Sequence, residues 1–189
     1  NPGTNGGVDF LYGTRGRMNT GVQLNHRTMR YNVYGGYNFR RWRSISERRG
    51  QREIFGDEEF LNQETNSTDR RRDHTFNYGA DYYFGKNIIS YEGVFSAQLD
   101  EEVNTLYSRL TDTKSGNLST QYVRRNDENE TDDGVDNALT YERVFDDKRR
   151  AFKFSASQSY TNQFKTQNID VFRGVSTVGP ERADDRERA

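Results

Sequence analysis

Apolar and polar side chains alternate along several stretches of the chain, and this period of two is typical of β-strands with one apolar and one polar face. In the run from His74, aromatic residues or alanine occupy every second position, and Thr, Asn, Gly or Asp stand between them. The five clearest runs begin at Met18, Tyr31, His74, Ile89 and Phe152.

Weaker alternation predicts further strands at Gly7–Tyr12 and Ala138–Phe145, and a final strand near Ile169–Val178. No segment of useful length shows the i, i+3, i+4, i+7 spacing of an amphipathic helix. The sequence therefore predicts an all-β fold.

The connections between these runs are of two kinds. Arg27–Arg30, Gly85–Asn87 and Asp146–Arg149 are short, whereas Arg43–Asp73 and Asn104–Asp133 are long and highly charged. This asymmetry predicts an antiparallel up-and-down meander, a partial transmembrane β-barrel of seven or eight strands with short turns on one edge and long charged loops on the other. The apolar runs, at about 10–13 residues, fit tilted strands that cross a bilayer, and strands of a soluble sandwich are usually shorter.

One face of this sheet is expected to contact lipid. Aromatic residues near both strand ends, such as Tyr37, Phe39 and Tyr82–Phe84, fit the interfacial girdles of a membrane barrel. The alternative is that the same residues form the inner face of a soluble sandwich. The predicted lipid-facing residues are Val22, Leu24, Val33, Phe76, Tyr78, Phe95, Phe152 and Phe154.

Composition limits the class of protein further. The chain has 189 residues, of which 31% are hydrophobic and 30% charged, a poor balance for an ordinary globular core. Its 13% aromatic content argues against global disorder. No apolar stretch is long enough for a transmembrane helix. The N-terminal residues lack the apolar stretch of a signal peptide, so we expect a mature form or a fragment.

The sequence nominates no catalytic or metal site. Without cysteine, thiolate zinc sites and cysteine nucleophiles are excluded. His26 and His74 each stand at a strand end, and nothing in the sequence brings them together as metal ligands. No nucleophile elbow, P-loop or zinc-protease motif occurs. We expect no enzymatic activity, no cofactor and no bound metal.

The acidic and basic clusters of the chain could each be a binding site or a set of surface charges. The acidic run Asp127–Gly134 offers oxygen ligands to calcium, but the EF-hand template fails because Thr140 stands where glutamate is required. A solvated loop is therefore the expectation there. Arg40–Arg43, Arg48–Arg49 and Arg70–Arg72 are interleaved with acids, and the net charge is −1, so we expect no nucleic-acid binding. Ion pairs across long strands, or contacts with anionic lipid head groups, suit these arginines better.

Several segments together resemble the outer-membrane β-barrel family of TonB-dependent receptors. They are Gly7–Gly13, Leu24–Thr28 with Tyr31–Gly35 and Tyr37–Phe39, Tyr78–Phe84, Lys86–Asn87, Asp136–Tyr141 and Phe145–Lys148. The resemblance covers most of residues 5–165. It departs from the family at Met29, which stands where a turn glycine is expected, and at the polar end Glu181–Ala189. No plug domain or energy-coupling box is found.

The resemblance implies a function. Such receptors sit in the outer membrane, bind a scarce nutrient and take it up when TonB acts on the plug. Seven or eight strands are too few for the roughly 22 that enclose a plugged lumen. We therefore expect a barrel-wall segment over residues 1–178 and a polar tail over 179–189, with lipid, the rest of the barrel, the plug and, through it, TonB as partners. Two alternatives stay open, a soluble all-β surface module that binds carbohydrate or mediates adhesion, and a small complete eight-stranded barrel.

Overall fold

The computed structural model describes residues 2–56, 58–145, 150–174 and 181–183. Among them, the 3₁₀ turn at Thr14–Gly16 is the only helical segment, and everything else regular is strand. The strands are β1 (Gly3–Tyr12), β2 (Met18–Arg27), β3 (Tyr31–Ile54), β4 (Glu59–Phe84), β5 (Asn87–Asp112), β6 (Leu118–Val144), β7 (Ala151–Gly174) and β8 (Glu181–Ala183).

These strands form a single sheet in the order β1 to β8, so that each strand pairs with its neighbours in the sequence. Val8 lies opposite Val22, and Val22 lies opposite Tyr37, in antiparallel register. β1 and β8 are the two edges, and within the described residues no pairing between them closes the sheet. The predicted all-β antiparallel meander is confirmed, and the sheet is open.

The two long charged segments differ from the prediction, because they are mostly strand rather than loop. β3 continues to Ile54 and β4 begins at Glu59, while β5 continues to Asp112 and β6 begins at Leu118. Their sequences lose the apolar–polar alternation because both faces carry polar and charged groups. Backbone hydrogen bonds between strands do not depend on that alternation, so the strands continue through the charged segments.

The C-terminal segments also differ in detail. The predicted separate strand near Ile169–Val178 is the end of β7 up to Gly174, and residues 175–178 lie outside the described residues. Within the predicted polar tail, β8 pairs with β7, and Val171 lies opposite Glu181.

Two of the three predicted short turns lie side by side, at the same end of the strands. The Tyr83 amide donates to the Arg30 carbonyl at 2.8 Å, and the Val144 amide donates to the Lys86 carbonyl at 2.9 Å. Thr28 Oγ1 accepts the Tyr31 amide at 3.0 Å, so this turn closes without a glycine at position 29. Gly85 has φ 60°, which favours glycine. The third turn, Asp146–Arg149, lies outside the described residues.

The sheet has no ordinary core. Among the described residues no hydrophobic side chain is buried, and Ser108 is the buried polar residue. The chain divides into two compact units, which we call unit 1 (Asn1–Trp42, Arg72–Leu99, Thr131–Gln163) and unit 2 (Arg43–Arg71, Asp100–Glu130, Phe164–Ala189).

Candidate membrane-facing surface

One face of unit 1 is almost continuously apolar. The register sets Val8, Val22 and Tyr37 in one row, and the rings of Tyr37 and Phe39 contact His74, which carries the same face onto β4. We call this side the apolar face. It comprises Val8, Phe10, Tyr12, Val22, Leu24, Val33, Tyr37, Phe39, His74, Phe76, Tyr78, Tyr82, Phe84, Ile89, Tyr91, Phe95, Leu139, Tyr141, Phe152, Phe154 and Tyr160.

All eight residues predicted from the sequence to face lipid lie on this apolar face. Leu24 is 60% exposed, Phe154 57% and Phe95 41%, whereas Tyr78 is partly covered by its neighbours. Within the described chain no second sheet packs over them. These side chains therefore need a covering that the described residues do not supply, and lipid contact stays a prediction.

The opposite face of unit 1 is polar and hydrogen-bonded across strands. Asn25 Nδ2 donates to Asn32 Oδ1 at 2.9 Å, and Asn32 Nδ2 donates to Asp81 Oδ2 at 3.1 Å. Farther along the same face, Asn38 Nδ2 donates to Asn19 Oδ1 at 3.0 Å. Amide and carboxylate side chains joined in this way hold the strands in register while their remaining groups stay available to water. Such a face suits the lining of an aqueous lumen.

A polar cluster interrupts the middle of the apolar face. The hydroxyls of Tyr78 and Tyr91 each donate to Asn137 Oδ1 at 2.8 Å. Beneath them, Gly93 leaves the space that they fill, because a Cβ there would lie 2.6 Å from both Asn137 Oδ1 and the Tyr78 ring. The alternation of apolar and polar residues did not predict this cluster. Its signal was a glycine and an asparagine at positions where the alternation called for apolar residues.

The same packing of a large group over a glycine occurs on the polar face. The ring of Tyr34 covers Gly79, and the side chain of Asn77 lies over Gly36, where a Cβ would come within 2.7 Å of Asn77 Oδ1. Glycine is needed here for close approach, not for an unusual backbone conformation. These contacts tie β3 and β4 together where no core exists to do so.

Aromatic pairs mark the short-turn end of the apolar face. The rings of Tyr82 and Phe84 stack at 5.5 Å, and those of Tyr141 and Phe152 lie 6.3 Å apart. Tyr83 belongs to the polar face instead, where the Arg27 guanidinium lies 5.7 Å from its ring centre. The predicted aromatic girdle therefore includes Tyr82 and Phe84 but not Tyr83, because adjacent residues of a strand point to opposite faces.

The two histidines lie at opposite ends of this face. His26 Nδ1 is hydrogen-bonded to Thr4 Oγ1 at 2.7 Å, near the short turns, whereas His74 Nδ1 is bonded to the Tyr37 hydroxyl at 2.8 Å and its ring packs on Phe39. The structure does not bring them together. Across the described residues, no group of His, Cys, Asp or Glu side chains is arranged to hold a metal ion.

Unit 2 carries ion pairs where unit 1 carries apolar rows. The acids interleaved with the arginine clusters do pair with them, as one sequence interpretation expected. The pairs are Arg49 with Glu47 and with Glu64 (3.6 Å), Arg70 with Glu101 (3.9 Å), Arg125 with Asp127 (2.9 Å), Lys114 with Glu58, and Lys165 with Glu128 (2.6 Å) and Glu130 (3.8 Å). Most are solvent-exposed, so each adds little stability.

These pairs and the turns of unit 2 shift several pKa values. The hydrogen bond to Glu128 raises the pKa of Lys165. Hydrogen bonds from Ser115 lower the pKa of Asp112, whose carboxylate closes the β5–β6 turn. Partial burial raises the pKa of Asp100, and the nearby Arg71 opposes that effect.

The acidic run Asp127–Gly134 is strand, part of β6, rather than the predicted solvated loop. Strand geometry turns successive carboxylates to opposite faces, so the run cannot wrap around one ion. Its neighbours explain its acids, because Arg125 pairs with Asp127 and Lys165 with Glu128.

An open groove of about 560 Å³ lies within unit 2 and was not foreseen from the sequence. Its lining combines two aromatic rings with several amide side chains. The residues that carry this chemistry are Tyr107, Tyr122, Asn62, Gln63 and Gln121. Aromatic and amide groups suit a polar ligand.

Comparison with known proteins adds no relatives. No protein-family model matches the chain, and no curated protein matches it significantly in sequence. In the part of the chain that the structure describes, no helix is both long and apolar enough to span a bilayer.

Proposed function

We propose that the chain is a wall segment of an outer-membrane β-barrel of the TonB-dependent receptor type, which takes up a nutrient. The observation that carries this proposal is the sheet of unit 1, with one uncovered apolar face and one hydrogen-bonded polar face. In a barrel wall the first contacts lipid and the second lines the lumen.

The dimensions of unit 1 support the proposal. Unit 1 holds residues 72–84 of β4 and 87–99 of β5, and alternate positions are apolar from Phe76 to Phe84 and, apart from Gly93, from Ile89 to Leu99. Roughly 13 strand residues tilted by about 40° rise some 33 Å, enough to cross the hydrocarbon of a bilayer. Aromatic rings at both ends of this band fit its two interfaces with water.

The open edges favour a segment of a wider barrel over a small complete one. The outer edge of β1 has no strand beside it among the described residues. Unpaired backbone groups are not tolerated in hydrocarbon, so further strands must cover that edge. These strands and the plug, which TonB engages by resemblance to the family, are the partners that the proposal implies. Catalysis is no part of it.

A soluble surface module remains the alternative function. It would require a second sheet about 10 Å above the apolar face, supplied by residues or a partner beyond those described. The unit 2 groove fits either function, because ligand capture by loops and strand ends also serves a receptor.

A pair of adjacent substitutions tests the proposal. Phe95→Arg, on the apolar face, should impair assembly of the full-length protein into the outer membrane, by about 2–4 kcal/mol near the midplane. Ser96→Arg, one residue away on the polar face, should assemble nearly as wild type. Heat-modifiable protein in the membrane fraction is the readout. Equal assembly by both variants, or wild-type protein found only in the soluble fraction, would contradict the proposal.

A further inference from the structure

Two arginines face each other at the end of the apolar face remote from the short turns. Arg41 pairs with Met18, which places it on that face. Arg40 is ion-paired with Asp73 at 2.8 Å across β3 and β4. In an antiparallel pair, one residue forward on the first strand corresponds to one residue backward on the second. The pairing of Arg40 with Asp73 therefore sets Arg41 opposite Arg72.

Neither arginine is neutralised within the described part of unit 1. The nearest acid in sequence, Asp73, lies on the polar face and pairs with Arg40. The directly opposed neighbours are apolar, since Met18 flanks Arg41 and the contact of Tyr78 with Gly93 sets Leu99 beside Arg72. Glu101, two residues beyond Leu99 on the same strand, pairs with Arg70. Like charges directly opposite each other destabilise a strand pair, unless an anion binds between them.

The position of this pair along the strand matches a membrane boundary. Arg72 lies about 12 residues from Phe84, which is about 40 Å along the strand and about 30 Å along the bilayer normal at a tilt of about 40°. That height equals the thickness of the hydrocarbon layer. The rings of Phe39 and His74, 4.9 Å apart, lie just inside it. The guanidinium groups are thus level with lipid phosphates.

We propose that Arg41 and Arg72 bind the phosphate of an anionic lipid head group, in the leaflet remote from the short turns. Guanidinium groups bind phosphate through paired hydrogen bonds, which a lysine pair would not reproduce. The bound phosphate removes the repulsion between the two arginines. This inference rests on the proposed function, because it requires the apolar face to contact lipid.

The test measures lipid retained by the full-length protein in maltoside detergent. Phosphatidylglycerol and phosphatidylcholine are offered separately, and bound lipid is counted by native mass spectrometry. Both lipids carry a phosphate, but the choline cation of phosphatidylcholine offsets its charge and is repelled by the two arginines. Wild type should therefore prefer phosphatidylglycerol about tenfold, a difference of about 1.4 kcal/mol. The double variant R41Q/R72Q should lose that preference. The matched control R49Q/R125Q removes the same charge from ion-paired arginines of unit 2 and should keep it.

The outcomes separate the two proposals. Protein that assembles in the membrane but shows no lipid preference, or whose preference survives in R41Q/R72Q, overturns the head-group site and leaves the barrel wall intact. Protein that does not assemble in the membrane overturns both. Displacement of phosphatidylglycerol by millimolar inorganic phosphate would show a site for a free anion and also overturn the lipid assignment.

Discussion

Units 1 and 2 share one backbone conformation but present different surfaces. β7 runs through both, with Phe152 and Phe154 on the apolar face in unit 1 and Lys165, paired with Glu128, in unit 2. In unit 1 one face carries mostly apolar side chains, whereas both faces of unit 2 carry polar groups. The comparison teaches that strand length here does not follow from apolar burial. Backbone pairing and cross-strand polar contacts extend the sheet where hydrophobic contacts stop.

The largest expected effect separates two phenylalanines of the same strand. Phe154→Arg should cost membrane assembly about 2–4 kcal/mol, because it places a charge in hydrocarbon. Phe172→Arg, in unit 2, should change assembly little, although Phe172 is also exposed, at 44%. The measurement is the assembled fraction of full-length protein. Equal losses at both positions would erase the distinction between the units.

A smaller effect comes from two glycines. Gly93→Ala should lower the stability of the assembled protein by about 1–3 kcal/mol, because its Cβ meets Asn137 Oδ1 and the Tyr78 ring at 2.6 Å. Gly50→Ala, in unit 2, meets no atom within 4 Å and should be neutral or slightly stabilising. The measurement is the denaturant midpoint of each variant relative to wild type. A harmless Gly93→Ala would show that the Tyr78–Tyr91–Asn137 cluster does not hold the strands together.

The smallest effect is a pH dependence within unit 2. Burial raises the folded-state pKa of Asp100, so stability should fall as pH rises from the ordinary carboxyl pKa through the raised one, and Asp100→Asn should remove that fall. Asp112, whose pKa is lowered, should behave oppositely. Its contribution is present above the unfolded pKa and is lost as pH falls through the folded one. The measurement is the denaturant midpoint of wild type, Asp100→Asn and Asp112→Asn between pH 3 and 7. If the midpoints of the two variants changed with pH in the same way, both predicted directions would be contradicted.

Much of unit 1 could be predicted from the sequence, because alternation is strong wherever one face is apolar and the other polar. It predicted the start of β2 at Met18 and the short turn at Arg27–Arg30, and it placed on one face of the sheet all eight residues that are expected to contact lipid. The extents of β3 to β6 in unit 2 could not be predicted, since segments such as 43–54 and 100–112 alternate no apolar and polar positions. Charged strands and charged loops are indistinguishable in composition.

The contacts that depend on register were also beyond the sequence. Tyr78, Tyr91 and Asn137 lie on three different strands, and their hydrogen bonds can be seen only when the pairing of those strands is known. Arg41 and Arg72 stand far apart in the chain, and their opposition follows from the β3–β4 register. The turn at Met29 closes without glycine, because the Thr28 hydroxyl accepts the amides of Arg30 and Tyr31.

Site-directed labelling tests most directly whether the apolar face of unit 1 contacts lipid. The 189-residue chain contains no cysteine, so single substitutions give clean labels once any cysteine elsewhere in the full-length protein is replaced. In the full-length protein in its membrane, a fluorophore at Phe95→Cys or Phe154→Cys should be quenched by a lipid-soluble quencher and shielded from a water-soluble one. Labels at Ser96→Cys and Ser155→Cys should show the reverse. Aqueous quenching at all four positions, or shielding of the first pair from both quenchers, would contradict lipid contact.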